Sequence, residues 1–308
     1  MIKVAIFGAD SPKGGELARI LLNHPEVEMT ALVAPGQEGK NVTAVHHGFY
    51  GEEPLYFTSI FPSAKDTDVL FVASGNAPAE QLASLKKENP DLITIFMEPS
   101  EEYRSIGETP VYGLPEINRK PLVRGATAAV IPSPPASATL VALYPLAVNM
   151  ILNSSLRIEV TMPEDMMEAE IRKAENEIEE MLVSVQKSFE KKIELPVKPS
   201  PSTRSMEIDI DLDCSINLEH ILELYDMYDD HRFAFPVSGR LSCSDIKATQ
   251  KCLFTISKPS ESTLHIHVVA DPRMRGGAGE AVHVMNLLCG LHEKTGLGLK
   301  TSDFIQMK

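Results

Sequence analysis

Few folds accommodate the opening of this chain. Lys3-Val4-Ala5-Ile6-Phe7 is a short apolar, β-branched run that stops at Gly8. Gly8-Ala9-Asp10-Ser11-Pro12-Lys13-Gly14-Gly15 then leads into a helical pattern with apolar residues at Leu17, Ile20 and Leu21, ending near Asn23-His24-Pro25. A second apolar strand over residues 29–33 follows at once. Strand, glycine turn, helix and strand within roughly thirty residues make the βαβ unit that binds nucleotides. Its glycines permit a tight turn and let phosphate oxygens approach the backbone where the helix begins. Ser11 stands at the middle glycine of the usual pattern, so a tight turn without a ligand is the competing reading. The second strand runs into Ala34-Pro35-Gly36, with no acid to hold a ribose 2′-hydroxyl. That favours NADP over NAD, or a weakened cofactor site.

The alternation continues with a buried strand over 68–73, the loop Ser74-Gly75-Asn76-Ala77-Pro78, a helix over 79–87 and a strand over 92–96. The N-terminal half therefore reads as a doubly wound, Rossmann-type α/β domain with its ligand at the carboxyl ends of the strands. Residues 129–143 read as a short strand, a sharp turn and a helix. The first N–H groups of such a helix point into the turn and suit an anion or an activated nucleophile. Here the turn carries Pro134 and Pro135, which have no N–H, and neither cysteine nor histidine.

Beyond this turn the pattern changes. Residues 156–162 alternate as a half-buried strand, and Asp165 opens a long helix with the apolar stripe Met167, Ile171, Ala174, Ile178, Leu182, Val185. Its Glu- and Lys-rich remainder reads as a solvated face. Pro196, Pro199 and Pro201 mark a linker over 196–201. Residues 206–213 alternate strictly, and their acids read as the solvent side of an antiparallel sheet rather than as a metal site. Strands over 251–257 and 263–270 complete that α+β second domain, and a helix over 276–291 closes the chain with Cys289 in the core. A net charge of −14 argues against nucleic-acid and anionic-membrane partners. No window has transmembrane length, and the start reads as a first strand rather than a signal peptide. Four scattered cysteines, with no metal-type spacing, read as reduced thiols in a cytoplasmic protein.

Several segments together resemble the N-acetyl-gamma-glutamyl-phosphate reductases of the semialdehyde dehydrogenase family. Residues 8–17 are similar to the family's GATGYTGAEL turn, and Tyr112-Gly113-Leu114-Pro115-Glu116-Ile117-Asn118-Arg119 to its YGLPE-[LI]-NR. Val45-His46-His47-Gly48-Phe49-Tyr50-Gly51 resembles an early signature, and Arg275-Gly276-Gly277-Ala278-Gly279-Glu280-Ala281-Val282 resembles the C-terminal cofactor-side helix. The resemblance implies an NADP-binding domain over 1–133, a substrate and dimerisation domain over 134–275, and a segment over 276–308 returning to the first. Cofactor contacts are implied at Gly8, Ala9, Asp10, Ser11, Pro12, Lys13, Gly14, Ser74, Gly75, Gly276 and Gly277. Ser100, Arg104 and Arg204 are implied to line an anionic substrate pocket.

The reaction implied is attack by a cysteine thiolate on an acyl phosphate, then reduction of the thioester by NADPH, with a histidine moving protons. Pro134 falls at the nucleophile position and Ala174 at that of the base, so no catalytic residue is assigned and no metal is expected. The glycine-rich substrate loop has no counterpart, and His283 replaces a glutamine expected near the nicotinamide. Ser133 and Ser137 flank the lost nucleophile, but a serine needs a general base beside it. Three readings follow: an NADP-dependent oxidoreductase of arginine biosynthesis, a non-catalytic nucleotide-binding or partner subunit, and an enzyme of direct hydride transfer. A pseudoenzyme is the favoured biochemistry. It would form a homo-oligomer (dimer or tetramer) or pair with a cysteine-bearing paralogue through the second-domain sheet.

Overall fold

The computed structural model describes residues 1–52, 54–74, 77–98, 107 and 109–301, so Gly75, Ser100 and Arg104 lie outside the described residues. The chain divides into two compact units, Met1–Pro132 with Gly277–Gly298, and Ser133–Gly276 with residues 299–301. In the first unit, β1 (Ile2–Phe7), β2 (Val27–Val33), β3 (Phe57–Thr58), β4 (Val69–Val72), β5 (Ile93–Phe96), β6 (Val111–Tyr112) and β7 (Ala128–Val130) form a seven-stranded sheet. Every pairing is parallel, in the order β3-β2-β1-β4-β5-β7-β6. A parallel sheet is covered on both faces, which is why β4 reads as the uninterrupted apolar run Val69-Leu70-Phe71-Val72, buried throughout. The order reverses direction between β1 and β4, and such a switch point is where doubly wound folds hold ligands. Helices α1 (Pro12–Leu21), α2 (Ala79–Glu88) and α3 (Pro115–Leu122) belong to this unit.

The second unit begins with helix α4 (Pro134–Val148). Strands β8 (Leu156–Pro163), β9 (Ile193–Glu194), β10 (Val197–Ser200), β11 (Met206–Asp213), β12 (Ala234–Pro236), β13 (Cys252–Ser260) and β14 (Thr263–Ala270) form a mixed sheet. Its order is β10-β8-β11-β14-β13-β12, with β9 also on β8, and its central strands β8, β11, β14 and β13 are antiparallel. Helices α5 (Glu164–Val185) and α6 (Leu218–Leu224) complete the unit. The expected linker over 196–201 is instead largely the edge strand β10, paired with β8. Proline is compatible with an edge because an N–H facing away from the ladder is not needed there. The stripe of α5 also differs from the sequence pattern. Glu170 is buried with Ala174, Ile178 and Leu182, while Met167, Ile171 and Val185 are only partly covered.

Helix α4 packs against α5 and against β11 and β14, and every residue from Pro134 to Leu143 is buried. Pro145 inside it has no N–H to give the Val141 carbonyl one turn earlier. The Tyr228 hydroxyl donates to that carbonyl at 2.7 Å, and Tyr225 donates to the next, Ala142, also at 2.7 Å. Helix α7 (Ala278–Leu288) packs on α1 and α3 in the first unit, shorter at both ends than the expected 276–291. His24 Nε2 lies 3.0 Å from Asn286 Oδ1, and Asn286 Nδ2 donates to the Thr295 carbonyl at 2.8 Å, which ties the segment after α7 to the end of α1. Residues 277–298 belong to the first unit. Residues 299–301 belong to the second unit, where Thr301 Oγ1 donates to the Ser244 carbonyl. Cys289 caps α7 half-buried rather than fully in the core.

Tyr228→Phe should cost about 1–3 kcal/mol by leaving the buried Val141 carbonyl unsatisfied. Tyr225→Phe should cost less, since Ala142 keeps its helical donor. Urea unfolding of the two variants checks the order, and equal losses would contradict the role assigned to Pro145.

Candidate functional site

The turn between β1 and α1 is held by its own backbone. Gly8 and Ala9 N–H groups both donate to the Val33 carbonyl, at 2.9 and 3.2 Å, and Ser11 N–H donates to the Gly8 carbonyl at 3.0 Å. Ser11 is the N-cap of α1, its Oγ accepting from Gly14 N–H at 3.0 Å, and Pro12 follows at N1, where its missing N–H costs nothing. Ser11 is therefore a cap rather than a defect in the glycine pattern. Gly8 has φ +73°, and a Cβ there would lie 2.5 Å from Ser74 Oγ at the end of β4. A Cβ on Gly14 would lie 2.4 Å from the Gly8 carbonyl oxygen. Both positions are closed to side chains, so the turn presses directly on the switch point. Asp10 and Lys13 are half-buried, Pro12 is exposed, and Lys13 Nζ pairs with Glu98 Oε1 at 2.7 Å.

His46 supports this turn from outside. Its Nε2 donates to the Ala9 carbonyl at 2.8 Å, and its ring meets Phe49 and Phe57 edge-on. The 45–51 signature is thus a brace for the nucleotide turn. Sequence could have indicated this only through Gly15, where a Cβ would lie 2.6 Å from His46 Cε1.

At the start of α4, Ser133 is the N-cap and Pro134 occupies N1. Gly276, in the left-handed region at φ +63°, approaches so closely that a Cβ on it would be 2.4 Å from Pro134 Cα. Ser133 N–H and Ser133 Oγ both donate to Glu177 Oε2 on α5, at 2.8 and 3.0 Å. The acidic face of α5 is therefore not solvated throughout. Glu177 places a carboxylate at the N-terminus of α4, where the helix dipole favours negative charge and where two prolines supply no donors. Ala174, one turn earlier on α5, is fully buried.

Arg204 does not present an open charge. Its Nη1 lies 3.0 Å from Asp271 Oδ2, and Asp271 also accepts from Ala248 N–H at 2.7 Å and Arg273 N–H at 2.9 Å. Burial raises the Asp271 carboxyl pKa despite that opposing Arg204 charge. His283 is buried on α7, with Nε2 3.0 Å from Glu293 Oε2, and Arg119 holds the same oxygen at 2.9 Å. For Glu293 burial is the largest influence and raises the pKa, but the His283 and Arg119 contacts together outweigh it and leave it lowered. Glu116, Glu280 and His283 bring donor atoms within 4.8 Å of one another, a set that could hold a metal ion. Each has further polar interactions, and the cluster joins α3 to α7.

A family profile described as semialdehyde dehydrogenase, NAD binding domain, matches residues 3–124. The N-acetyl-gamma-glutamyl-phosphate reductase of Parabacteroides distasonis is 34% identical over 332 residues, covering 99% of this chain and 100% of that protein. The chain belongs to the N-acetyl-gamma-glutamyl-phosphate reductase family. The reductase of Phocaeicola vulgatus is 28% identical over 99% of the chain and its own full length. Among solved structures, aspartate semialdehyde dehydrogenase II from Vibrio cholerae, complexed with ASA, superposes with a TM-score of 0.70 at 15% identity, over 94% of this chain and 98% of that one. The Candida albicans aspartate semialdehyde dehydrogenase with NADP gives 0.65 at 15%, over 94% and 98%. These likenesses support the two-part fold. Among the described residues no helix is long and apolar enough to cross a membrane.

The turn at Ser133 and Pro134 meets the Glu177 carboxyl on α5. Burial raises the Glu177 carboxyl pKa, with the Ser133 N–H and hydroxyl opposing the shift. Such a group holds its proton more firmly in the folded than in the unfolded state, so its contribution to stability grows as pH falls through the folded pKa and is lost as pH rises. Glu177→Gln cannot titrate. The difference in unfolding free energy, native minus variant, should therefore increase from about pH 7 to about pH 5. Parallel urea titrations at several pH values check this, and a flat difference would mean that the carboxyl is not desolvated.

Proposed function

We propose that this chain is an NADP-binding member of its family that does not perform the family's thiol chemistry. It would act in the cytoplasm as a nucleotide-binding or partner subunit. The observation that carries this reading is Pro134 at N1 of α4, closed against Gly276, with a carboxylate already on the same turn. A proline nitrogen in a peptide bond is no nucleophile, and the adjacent carboxylate would repel an incoming acyl phosphate. The cysteines elsewhere do not compensate. Cys214 and Cys252 are buried, and burial pushes the Cys243 and Cys289 thiols up to about 12, far from thiolate at neutral pH.

The nucleotide turn fits a dinucleotide. Gly8 and Gly14 bring bare backbone to the switch point and α1 begins there, so residues 8–14, Ser74 and Gly277 would hold the diphosphate side. When bound, NADP supplies a hydride donor or acceptor. The 2′-phosphate is compatible with a second strand that ends without a carboxylate. Lys13 would have to leave Glu98 to meet a phosphate, which predicts modest affinity. The partner would be a second copy of this chain or a cysteine-bearing relative, as the family's two-part subunit implies. One contact favours retained acyl chemistry instead: Ser133 Oγ lies 3.0 Å from Glu177 Oε2, a hydroxyl beside a carboxylate. That same oxygen also holds the Ser133 N–H at 2.8 Å and Ser133 is buried, as suits a helix cap.

Purified protein should bind NADPH in a fluorescence titration, and Gly14→Ala should weaken that binding at least tenfold. Phosphate-dependent oxidation of N-acetylglutamate semialdehyde should remain far below roughly 1 s⁻¹, an ordinary turnover, and Pro134→Cys alone should not restore it. Turnover at an ordinary rate that Ser133→Ala abolishes would establish the serine reading. Failure of NADPH to bind would remove the nucleotide role.

A further inference from the structure

Beyond β2 the chain makes a loop whose two ends are both tied to the nucleotide turn. At its start the Val33 carbonyl accepts from Gly8 and Ala9 N–H, at 2.9 and 3.2 Å, and at its far end His46 Nε2 donates to the Ala9 carbonyl at 2.8 Å. Between these anchors Pro35–Gln37 form a single 3₁₀ turn. Gln37 N–H donates to the Ala34 carbonyl at 2.9 Å, and Lys40 N–H to the Gln37 carbonyl at 3.0 Å. The loop is then pinned to β3, the edge of the sheet, with Gly39 N–H donating to the Phe57 carbonyl at 2.9 Å and Phe57 N–H to the Lys40 carbonyl at 3.0 Å. From this fixed backbone Lys40 Nζ reaches back to Gln37 Oε1, at 2.9 Å.

In a βαβ nucleotide fold the carboxyl end of the second strand meets the adenosine ribose. A carboxylate there bonds the 2′-hydroxyl of NAD, whereas a nearby cation accommodates the 2′-phosphate of NADP. Here that end runs into Ala34, Pro35 and Gly36, without an acid, and Lys40 is the only lysine or arginine between Arg19 and Lys65. We propose that Lys40 selects NADPH over NADH, its ammonium binding the 2′-phosphate and Gln37 positioning it. Lys40 acts within the nucleotide-binding role proposed above, on which this assignment rests.

The local chemistry suits the task. An ammonium has three donors, so the bond to Gln37 leaves two for phosphate oxygens. The Gln37 amide is neutral and holds the cation without cancelling its charge, whereas Lys13 at the nucleotide turn is met by the Glu98 carboxylate at 2.7 Å. Lys40 is exposed, and a Cβ added at Gly36 or Gly39 would meet nothing within 4 Å, so the loop is open to an approaching group. Glu38, the one acid of the loop, is exposed and screened by solvent, while a phosphate would meet Lys40 in direct contact.

Fluorescence titration of the full-length protein should give a Kd for NADPH roughly tenfold or more below that for NADH. Lys40→Met should raise the NADPH Kd by roughly tenfold or more and leave the NADH Kd within about twofold. Lys40→Arg, which keeps the charge, should preserve most of the preference, and Gln37→Leu should reduce it while sparing NADH. In competition, 2′,5′-ADP should displace NADPH from the unaltered protein better than 5′-AMP does, and Lys40→Met should erase that difference. Lys65→Ala, which removes an exposed lysine just before β4, should change neither nucleotide's binding. A Lys40→Met variant that weakens both nucleotides alike, or neither, would overturn the proposal. So would equal binding of NADPH and NADH by the unaltered protein, a result that leaves the dinucleotide role standing. Binding of neither nucleotide would overturn that role as well.

Discussion

Helix α4 is buried on nearly every side, and the second unit is arranged around the consequences. A buried helix has no water to satisfy its ends or a carbonyl that a proline has orphaned, so other elements must supply partners. Pro145 releases the Val141 carbonyl and Tyr228 answers it; Pro134 and Pro135 remove donors from the first turn, and Glu177 accepts from Ser133 just before it. The helix that could have held a nucleophile is instead fully engaged in packing. Within it Pro134 packs closely against Gly276, and on α5 Ala174 fills the buried stripe.

The nucleotide turn obeys a different constraint, the absence of room. Gly8 and Gly14 exclude side chains because backbone and Ser74 occupy the space, while His46 secures Ala9 from the opposite side. Ser11 caps α1, so the cap and these close contacts together fix the turn. The turn is consistent with a dinucleotide role.

Much was legible in the sequence wherever pattern and local chemistry act within one element. The apolar runs of β1 and β4, the glycine turn and the alternation of β11 each follow from spacing and sterics in a short window. The edge position of β10 was not legible, because proline reads as a linker until a neighbouring strand is known. Nor was Glu177, one of many acids on α5, distinguishable from its neighbours before α4 was laid against that helix.

The sequence by itself determined the two-part fold, the nucleotide turn and the absence of cysteine from the helix start, because these depend on residue identity at local spacings. Only the tertiary structure decided which polar groups meet. It brought Glu177 to Ser133 across 44 positions, Arg204 to Asp271 across 67, and His267 to Asp209 across 58. Such pairings depend on strand register and helix packing, and a register shift of one residue would reverse every face of β11. That is why the acids of β11 look like plain solvent-facing charge in the sequence and become half of a mixed imidazole–carboxylate cluster once β14 lies beside them.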